Sequence, residues 1–315
     1  MIIFVGYTGY VGSNIYVRAR NRIEGVYNSN NVEKAYGLEP DLLIYAGLRA
    51  EKYLANSAPE KDLDLILNAE RNIRKINPKK LVLISTIDVY KNPVGADENS
   101  PTVTDEKGSV GDGVQPYGLN RYYLEAWVRK NYPDALIIRL PALYGLNIKK
   151  NFIYDYINVI PYMLRKEKMA ELSVSAMELQ DYYELQDNGY YKCKDLSKEE
   201  KEKLRQMFTK LGFTALDFTD SRNEYQFYPL SRLWEDIQTA LDENIPLLNM
   251  ATEPVSAAEV YKYITGKTFQ NELDGETAKY DFRTRYAEKF GGKDGYICSK
   301  EAVLEDIKRF IESYQ

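Results

Sequence analysis

The sequence contains no histidine. That absence removes a Ser-His-Asp triad, a Cys-His dyad and every imidazole metal ligand, so no metal site is expected. Proton transfer must rest on Tyr, Asp, Glu, Lys, Cys or a cofactor. Cysteine is scarce: Cys193 and Cys298 are the only two, far apart and outside any CxxC pair. They exclude a disulfide framework and suit thiols in a reducing cytosol. No segment approaches the roughly 20 apolar residues that span a bilayer. The N-terminus opens directly into Ile2-Ile3-Phe4-Val5, without a basic stretch or cleavage-site pattern, so a cytoplasmic protein with no membrane partner is expected. Positive charge is not in excess either. The formal net charge is −5, with Lys and Arg scattered among acids, which leaves no basic face for nucleic acid.

What remains is ordinary globular composition: 315 residues, 44 % apolar and 28 % charged. A chain this long buries a substantial core as one large domain or two smaller ones. Tyrosine is abundant, 28 against 10 Phe, so any individual Tyr needs positional support before it is given a role.

Short apolar runs alternate with amphipathic stretches through the first half. Ile2–Val5, Asp41–Ala46, Leu81–Ser85 and Ala135–Leu140 read as buried strands. Tyr10–Arg20, Leu63–Ile76 and Leu119–Lys130 carry apolar residues at helical spacing. This alternation predicts an α/β fold with a parallel sheet covered on both faces. After about Leu146 the pattern changes. Helices are expected over Asn151–Leu164, Lys194–Leu211 and Lys300–Ile311, and short strands at Ala215–Phe218, Gln226–Tyr228 and Leu247–Ala251. The expected organisation is a dinucleotide-binding domain over 1–146. A smaller α/β substrate lobe follows over 147–315, with segments returning to the sheet.

Gly6-Tyr-Thr8-Gly9-Tyr10-Val11-Gly12 follows a buried strand and opens a helix, and that context gives a glycine motif its meaning. The first Gly permits the tight turn and the second lets backbone N–H groups approach a pyrophosphate. The third lets helix and strand pack closely, while the helix N-terminus supplies positive potential. A plain strand–turn–helix connection is the competing reading.

With its GxxGxxG spacing, the chain resembles the extended, nucleotide-sugar-modifying branch of the short-chain dehydrogenase/reductase superfamily. The resemblance covers nearly the whole chain. It rests on this turn, Ala46-Gly47, Ser85-Thr86-Ile-Asp88-Val-Tyr90, Pro116-Tyr117-Gly-Leu-Asn-Arg121 and Arg139-Leu-Pro141-Ala-Leu-Tyr-Gly145. Ser221-Arg222-Asn-Glu-Tyr-Gln-Phe-Tyr228 and Leu248-Asn-Met-Ala-Thr-Glu-Pro254 look like that branch too. It implies a Rossmann-like doubly wound sheet, NAD or NADP as cofactor, a nucleotide-sugar substrate, a role in polysaccharide biosynthesis and a homodimer. In that dimer Leu63–Ile76 and Leu119–Val128 would pack as a four-helix bundle, with Leu65, Ile66, Tyr123 and Trp127 as surplus apolar residues.

Tyr117 and Arg121 are four apart at a helix start, so both side chains lie on one face. A phenol is a poor base at neutral pH, and a fixed cation stabilises its phenolate. The resembled family uses Tyr-x-x-x-Lys: Tyr exchanges the proton, and Lys lowers its pKa and holds the nicotinamide ribose. Here Arg121 stands where Lys is expected, keeping the charge on a bulkier, planar fork. On sequence alone, Arg121→Lys should retain or raise activity. The family's catalytic hydroxyl falls on Thr86. Ser85-Thr86 ends a buried strand, where open parallel sheets place ligands, although such a hydroxyl also serves to cap the next turn.

The resemblance further assigns Gly6, Thr8, Gly9, Tyr10, Val11, Gly12, Asn28, Ser29, Ala46, Gly47, Ser85 and Pro141 to the cofactor. Asp88, Lys149, Asn151 and Arg222 are candidates for substrate, with Lys150 beside them. Asp88 reads as a sugar-hydroxyl acceptor or a solvated loop acid, and the basic residues as diphosphate ligands or surface charges. Ala142 stands where many relatives have Asn. No Asp or Glu occurs at Asn28–Asn31 to grip a ribose 2′-hydroxyl, so NAD and NADP both stay open.

Two functions from different classes follow. One is an NAD(P)-dependent ketoreductase or 4-epimerase acting on a sugar ring carbon. Ile87-Asp88 interrupts the Asp-Glu pair of a 4,6-dehydratase, and a 3,5-epimerising reductase commonly needs Cys and His. The other is a cofactor-binding sensor or scaffold that has lost turnover, supported by Arg121 and the abbreviated adenosine region.

Overall fold

Runs dense in Ile, Leu and Val leave no polar face, and they form the middle of a parallel sheet. The strands are β1 (Ile2–Val5), β2 (Gly25–Tyr27), β3 (Leu42–Tyr45), β4 (Leu81–Thr86) and β5 (Leu136–Leu140). A sixth, Leu247–Asn249, adds beside β5. The sheet order is Leu247–Asn249, β5, β4, β3, β1, β2, every pair parallel. The chain leaves β1 for β2 on one side and returns to β3 on the other, so strand order reverses between β1 and β3. Open α/β sheets bind ligands at the carboxyl ends of strands flanking such a reversal. The computed structural model describes residues 1–104, 110 and 113–314.

Four helices position the site. They are α1 (Tyr10–Ala19), α2 (Lys52–Ser57), α3 (Pro59–Ile76) and α4 (Pro116–Asn131). Pro59 and Pro116 begin α3 and α4, where the missing N–H costs nothing and φ is already helical. The period of two along the strands sorts the core into two layers. Phe4, Ile44, Val82, Ile84 and Ile138 face α1 and the helix Leu233–Asp242. Ile3, Val5, Leu43, Leu83 and Ile137 face α3 and α4. Each such apolar side chain, fully buried, contributes about 1.5–3 kcal/mol.

The chain divides into two compact units. The first comprises residues 1–148, 224–255 and 278–310 and contains the sheet. The second comprises residues 149–223, 256–277 and 311–315. It holds an antiparallel sheet in which Tyr190–Cys193 lies between Met163–Arg165 and Tyr183–Leu185. The helix Lys198–Leu211 packs Leu204 and Phe208 onto Leu164, Met169 and Leu172. Ser197 and Glu200 form its capping box and Gly212, at φ 65°, ends it.

Three sequence expectations are corrected. Asn151–Leu164 is not one helix. It stops at Asn158, because Val159 turns to φ 66°, and Met163 already belongs to a strand. Ala215–Phe218 is a 3₁₀ turn capped by Thr214, not a strand. Ile66 is fully buried under α3 against the sheet, so it is not part of an exposed apolar face; Leu65 and Tyr123 are exposed.

Candidate active site

The glycine turn is built as three different requirements. Gly6 takes φ +96°, and a Cβ there would overlap the Ala46 carbonyl. A Cβ on Gly12 would overlap the Gly6 carbonyl oxygen, so α1 lies directly on the turn. Gly9 differs. It is exposed, its backbone is ordinary extended (φ −73°, ψ 170°), and its Cβ would meet only the Gly6 oxygen at 3.4 Å. The fold itself therefore does not need glycine at position 9. Glycine there leaves the backbone open to close approach by a ligand.

The cradle draws the assigned cofactor residues to one edge. The Gly6 amide donates to the Tyr27 carbonyl at 2.8 Å, placing Asn28 and Ser29 at the end of β2 beside the turn. The Ala46 amide donates to the Val5 carbonyl at 2.9 Å, bringing Ala46-Gly47 against Gly6. Thr8 is exposed, and Val11 packs partly on the core. The Tyr10 hydroxyl donates to the Leu143 carbonyl at 3.2 Å, tying α1 to the segment after β5. Asn28 uses its own side chain in the turn, its Oδ1 accepting from the Asn30 amide.

Ser85 and Thr86, adjacent at the end of β4, point to opposite faces. The Ser85 hydroxyl donates to Glu125 Oε1 at 2.6 Å, inside the layer under α4. Glu125 also accepts from Arg139 Nη2 at 2.6 Å, with both partners at most 1 % exposed. Ser85 is thus committed to a buried ion-pair network. Thr86 Oγ1 accepts from the Asp88 amide at 3.2 Å, capping the 3₁₀ turn Ile87–Val89. It also lines a cavity of about 220 Å³ with Lys52, Asp88, Pro141, Ala142 and Tyr280. Tyr225 and Tyr280, stacked at 6.4 Å, add an aromatic wall. Gln226 lines the cavity too, but its amide is occupied by the Thr252 and Phe282 backbone.

Tyr117 sits in the first turn of α4, 8 % exposed, and its amide donates to Asn56 Oδ1 of α2 at 3.0 Å. A Cβ on the next residue, Gly118, would overlap the Asp88 carbonyl, so α4 rests directly on the 3₁₀ turn. The Arg121 guanidinium lies over the Tyr117 ring, 3.9 Å from its centre. It is only 3 % exposed. Nη1 donates to Asp62 of α3, and Nη2 to the Arg49 carbonyl at 2.8 Å. Burial pushes the Tyr117 phenol above its ordinary pKa. The Arg121 charge opposes that rise, Asp88 adds to it, Lys52 opposes it and Asp62 adds to it.

Sequence reasoning missed Lys52, whose Nζ donates to Asp88 Oδ1 at 2.7 Å at the cavity. No local signal marks it. The same reasoning missed Asp62 too, although a signal existed: Asp62 shares a helical stripe with Ile66, Ala69 and Ile73, and an acid there requires a buried partner. Lys149, Asn151 and Arg222 belong to the second unit. Lys149 is exposed. Asn151 caps a helix, its Oδ1 accepting from the Ile153 and Tyr154 amides. Arg222 pairs with Asp220 at 2.7 Å and Glu272 at 3.2 Å. Among the described residues no cluster of three acids or cysteines could hold a metal ion, and no helix is long and apolar enough to cross a membrane.

Fold and site define an α/β protein with a glycine cradle at a topological switch point and a cavity at the neighbouring strand ends. No protein-family model matches the sequence and no curated protein is similar to it in sequence. Solved structures share the fold over its full length. A UDP-glucose 4-epimerase from Thermotoga maritima, solved with UDP-glucose, superposes with TM-score 0.60 at 13 % identity, covering 99 % of this chain and 98 % of that one. The Bordetella bronchiseptica enzyme WbmG, solved with NAD and UDP, gives 0.61 at 14 %, covering 99 % and 94 %. A dTDP-4-dehydrorhamnose reductase from Bacillus anthracis, solved with NADP, gives 0.61 at 14 %, covering 99 % and 97 %. The chain shares its fold with nucleotide-sugar epimerase and reductase structures, some of them solved with NAD or NADP.

Proposed function

We propose that this chain is an NAD(P)-dependent enzyme of that type, acting on a nucleotide-activated sugar as a ketoreductase or 4-epimerase. The observation that carries the reading is the cradle. Gly9 is free to bear a side chain as far as the fold is concerned, yet it is exposed beside Gly6 and Gly12, whose lack of Cβ shapes the turn. Those residues, with Asn28, Ser29, Ala46 and Gly47, fit a dinucleotide. When bound, the cofactor supplies hydride chemistry. Tyr117 exchanges the proton, Thr86 polarises the reacting oxygen, and Pro141 and Ala142 wall the cavity. The aromatic surface of Tyr225 and Tyr280 suits the apolar face of a sugar ring, and the Lys52–Asp88 pair its hydroxyl groups.

A second reading is a binding protein that has lost turnover. The burial of Arg121 and the raised pKa of Tyr117 favour it. Mass spectrometry of the purified protein is expected to find a co-purified dinucleotide. Mixing with UDP- and dTDP-sugars should then change absorbance at the reduced-nicotinamide band. Bound dinucleotide with no absorbance change for any sugar would favour the binding protein, and no dinucleotide at all would remove both readings. The two free, half-buried thiols Cys193 and Cys298 suit a cytoplasmic location, and exposed Leu65 and Tyr123 on α3 and α4 suit a homodimer.

A further inference from the structure

The sequence places one cation, Arg121, beside Tyr117. The structure adds a second cation near the start of α4, Lys52, and their situations differ. Arg121 is enclosed between α3 and α4, with Nη1 on Asp62 and Nη2 on the Arg49 carbonyl. Its flat face covers the ring of Tyr117. The guanidinium therefore holds helices together and leaves no open face toward the cavity.

Lys52 is presented from elsewhere in the chain. It begins α2, in the connection between β3 and α3, and Asn56 follows it one turn later on the same helical face. Asn56 accepts the Tyr117 amide, which fixes that face of α2 against the start of α4. Lys52 then reaches Asp88, whose carbonyl backs onto Gly118, the residue after Tyr117. α2, the 3₁₀ turn and the start of α4 are thus linked through three contacts. The Lys52 side chain is 45 % exposed and lines the cavity with Thr86, so its ammonium is accessible to a bound ligand.

We propose that Lys52 is a positioning residue which stabilises the Tyr117 phenolate from the cavity side, in the role that a lysine four residues after the tyrosine would otherwise fill. The proposal rests on the reading of Tyr117 as the proton-exchanging group. Asp88 is the counterweight: it holds the ammonium at 2.7 Å and opposes phenolate formation. The charged and titratable groups facing the phenol are Lys52 from α2, Asp62 from α3, Asp88 from the 3₁₀ turn and Arg121 from α4. Tyr280 faces Lys52 from the other wall. A ligand hydroxyl or phosphate that draws Lys52 off Asp88 would alter the proton affinity of Tyr117 at the moment of binding.

The test is a pH titration of Tyr117 by NMR in protein carrying ¹³Cζ-tyrosine, its resonance assigned by loss in Tyr117→Phe. No ligand is needed. Lys52→Met should raise the Tyr117 pKa by about one unit or more, the range expected for removing an opposite charge at short range. Lys52→Arg should restore most of the shift. Asp88→Asn should move it the other way, which loss of structure around α2 would not do. Unchanged titration in Lys52→Met, or a shift of the same sign in Asp88→Asn, would overturn the proposal. A pH profile of turnover for Lys52→Met, measured on any active nucleotide sugar, should shift in parallel. If wild type turns over no sugar, the proposed function fails while the titration still decides the role of Lys52.

Discussion

At the scale of single residues, Tyr117 makes the most direct prediction. Tyr117→Phe removes the proposed proton carrier and keeps the ring that packs under Arg121. Turnover should fall on the order of 10²–10⁴-fold, as is typical of general acid–base catalysis, while dinucleotide affinity by fluorescence titration stays the same. The raised phenol pKa also sets a direction for pH dependence. In ketone reduction Tyr117 must donate a proton, and it is protonated at neutral pH, so the rate should be flat until alkaline pH. In alcohol oxidation it must accept one, so the rate should climb as pH rises toward the raised pKa. A flat oxidation profile from pH 6 to 10 would argue against Tyr117 as base. Arg121→Lys, expected from sequence to be harmless, is now expected to destabilise the protein. One ammonium cannot serve Asp62, the Arg49 carbonyl and the Tyr117 ring together. Chemical denaturation of that variant should show the loss. Gly9→Val should keep native circular dichroism and lose dinucleotide binding, because nothing in the fold opposes its Cβ.

At the scale of elements, α4 is tied to the sheet by buried charge. Glu125 accepts from Ser85 on β4 and Arg139 on β5, with no solvent to share the load. Glu125→Gln leaves the Arg139 guanidinium uncompensated and should cost about 3–5 kcal/mol in urea unfolding. Replacing both partners with Leu and Met should recover much of that, since apolar isosteres escape the desolvation penalty. This network was partly legible: Arg139 interrupts the apolar run Leu136-Ile-Ile-Arg-Leu140, and a charge inside a buried strand needs a partner. Its partner was not. Glu125 stands on an amphipathic helix where acids are common, and nothing local separates it from a surface residue.

At the scale of the whole molecule, assembly is the open property with the clearest surface signature. Leu65, Leu67 and Tyr123 are each 37 % to 48 % exposed on α3 and α4. A homodimer through these helices would remove them from water. Light scattering is expected to give twice the 36.4 kDa chain mass at micromolar concentration. Leu65→Lys combined with Tyr123→Lys should return it to monomer. A wild-type monomer at that concentration would exclude the bundle.

The sequence by itself determined the central strands β1, β3, β4 and β5, the helices α1, α3 and α4 that cover them, and the glycine turn. These follow from periods of two and 3.6 residues and from glycine spacing, which are local properties of the chain. Tertiary structure alone decided which groups meet. Ser85 and Thr86 are neighbours with the same chemistry, yet the pleat of β4 sends one to Glu125 and leaves the other at the cavity. Arg121 matched a motif position, but Asp62, 59 residues earlier, engages it. Lys52 matched nothing and stands 36 residues before Asp88, to which the packing of α2 on α4 delivers it. Pairings over such separations depend on how elements dock, and charge alone, read along the chain, carries no record of direction in space.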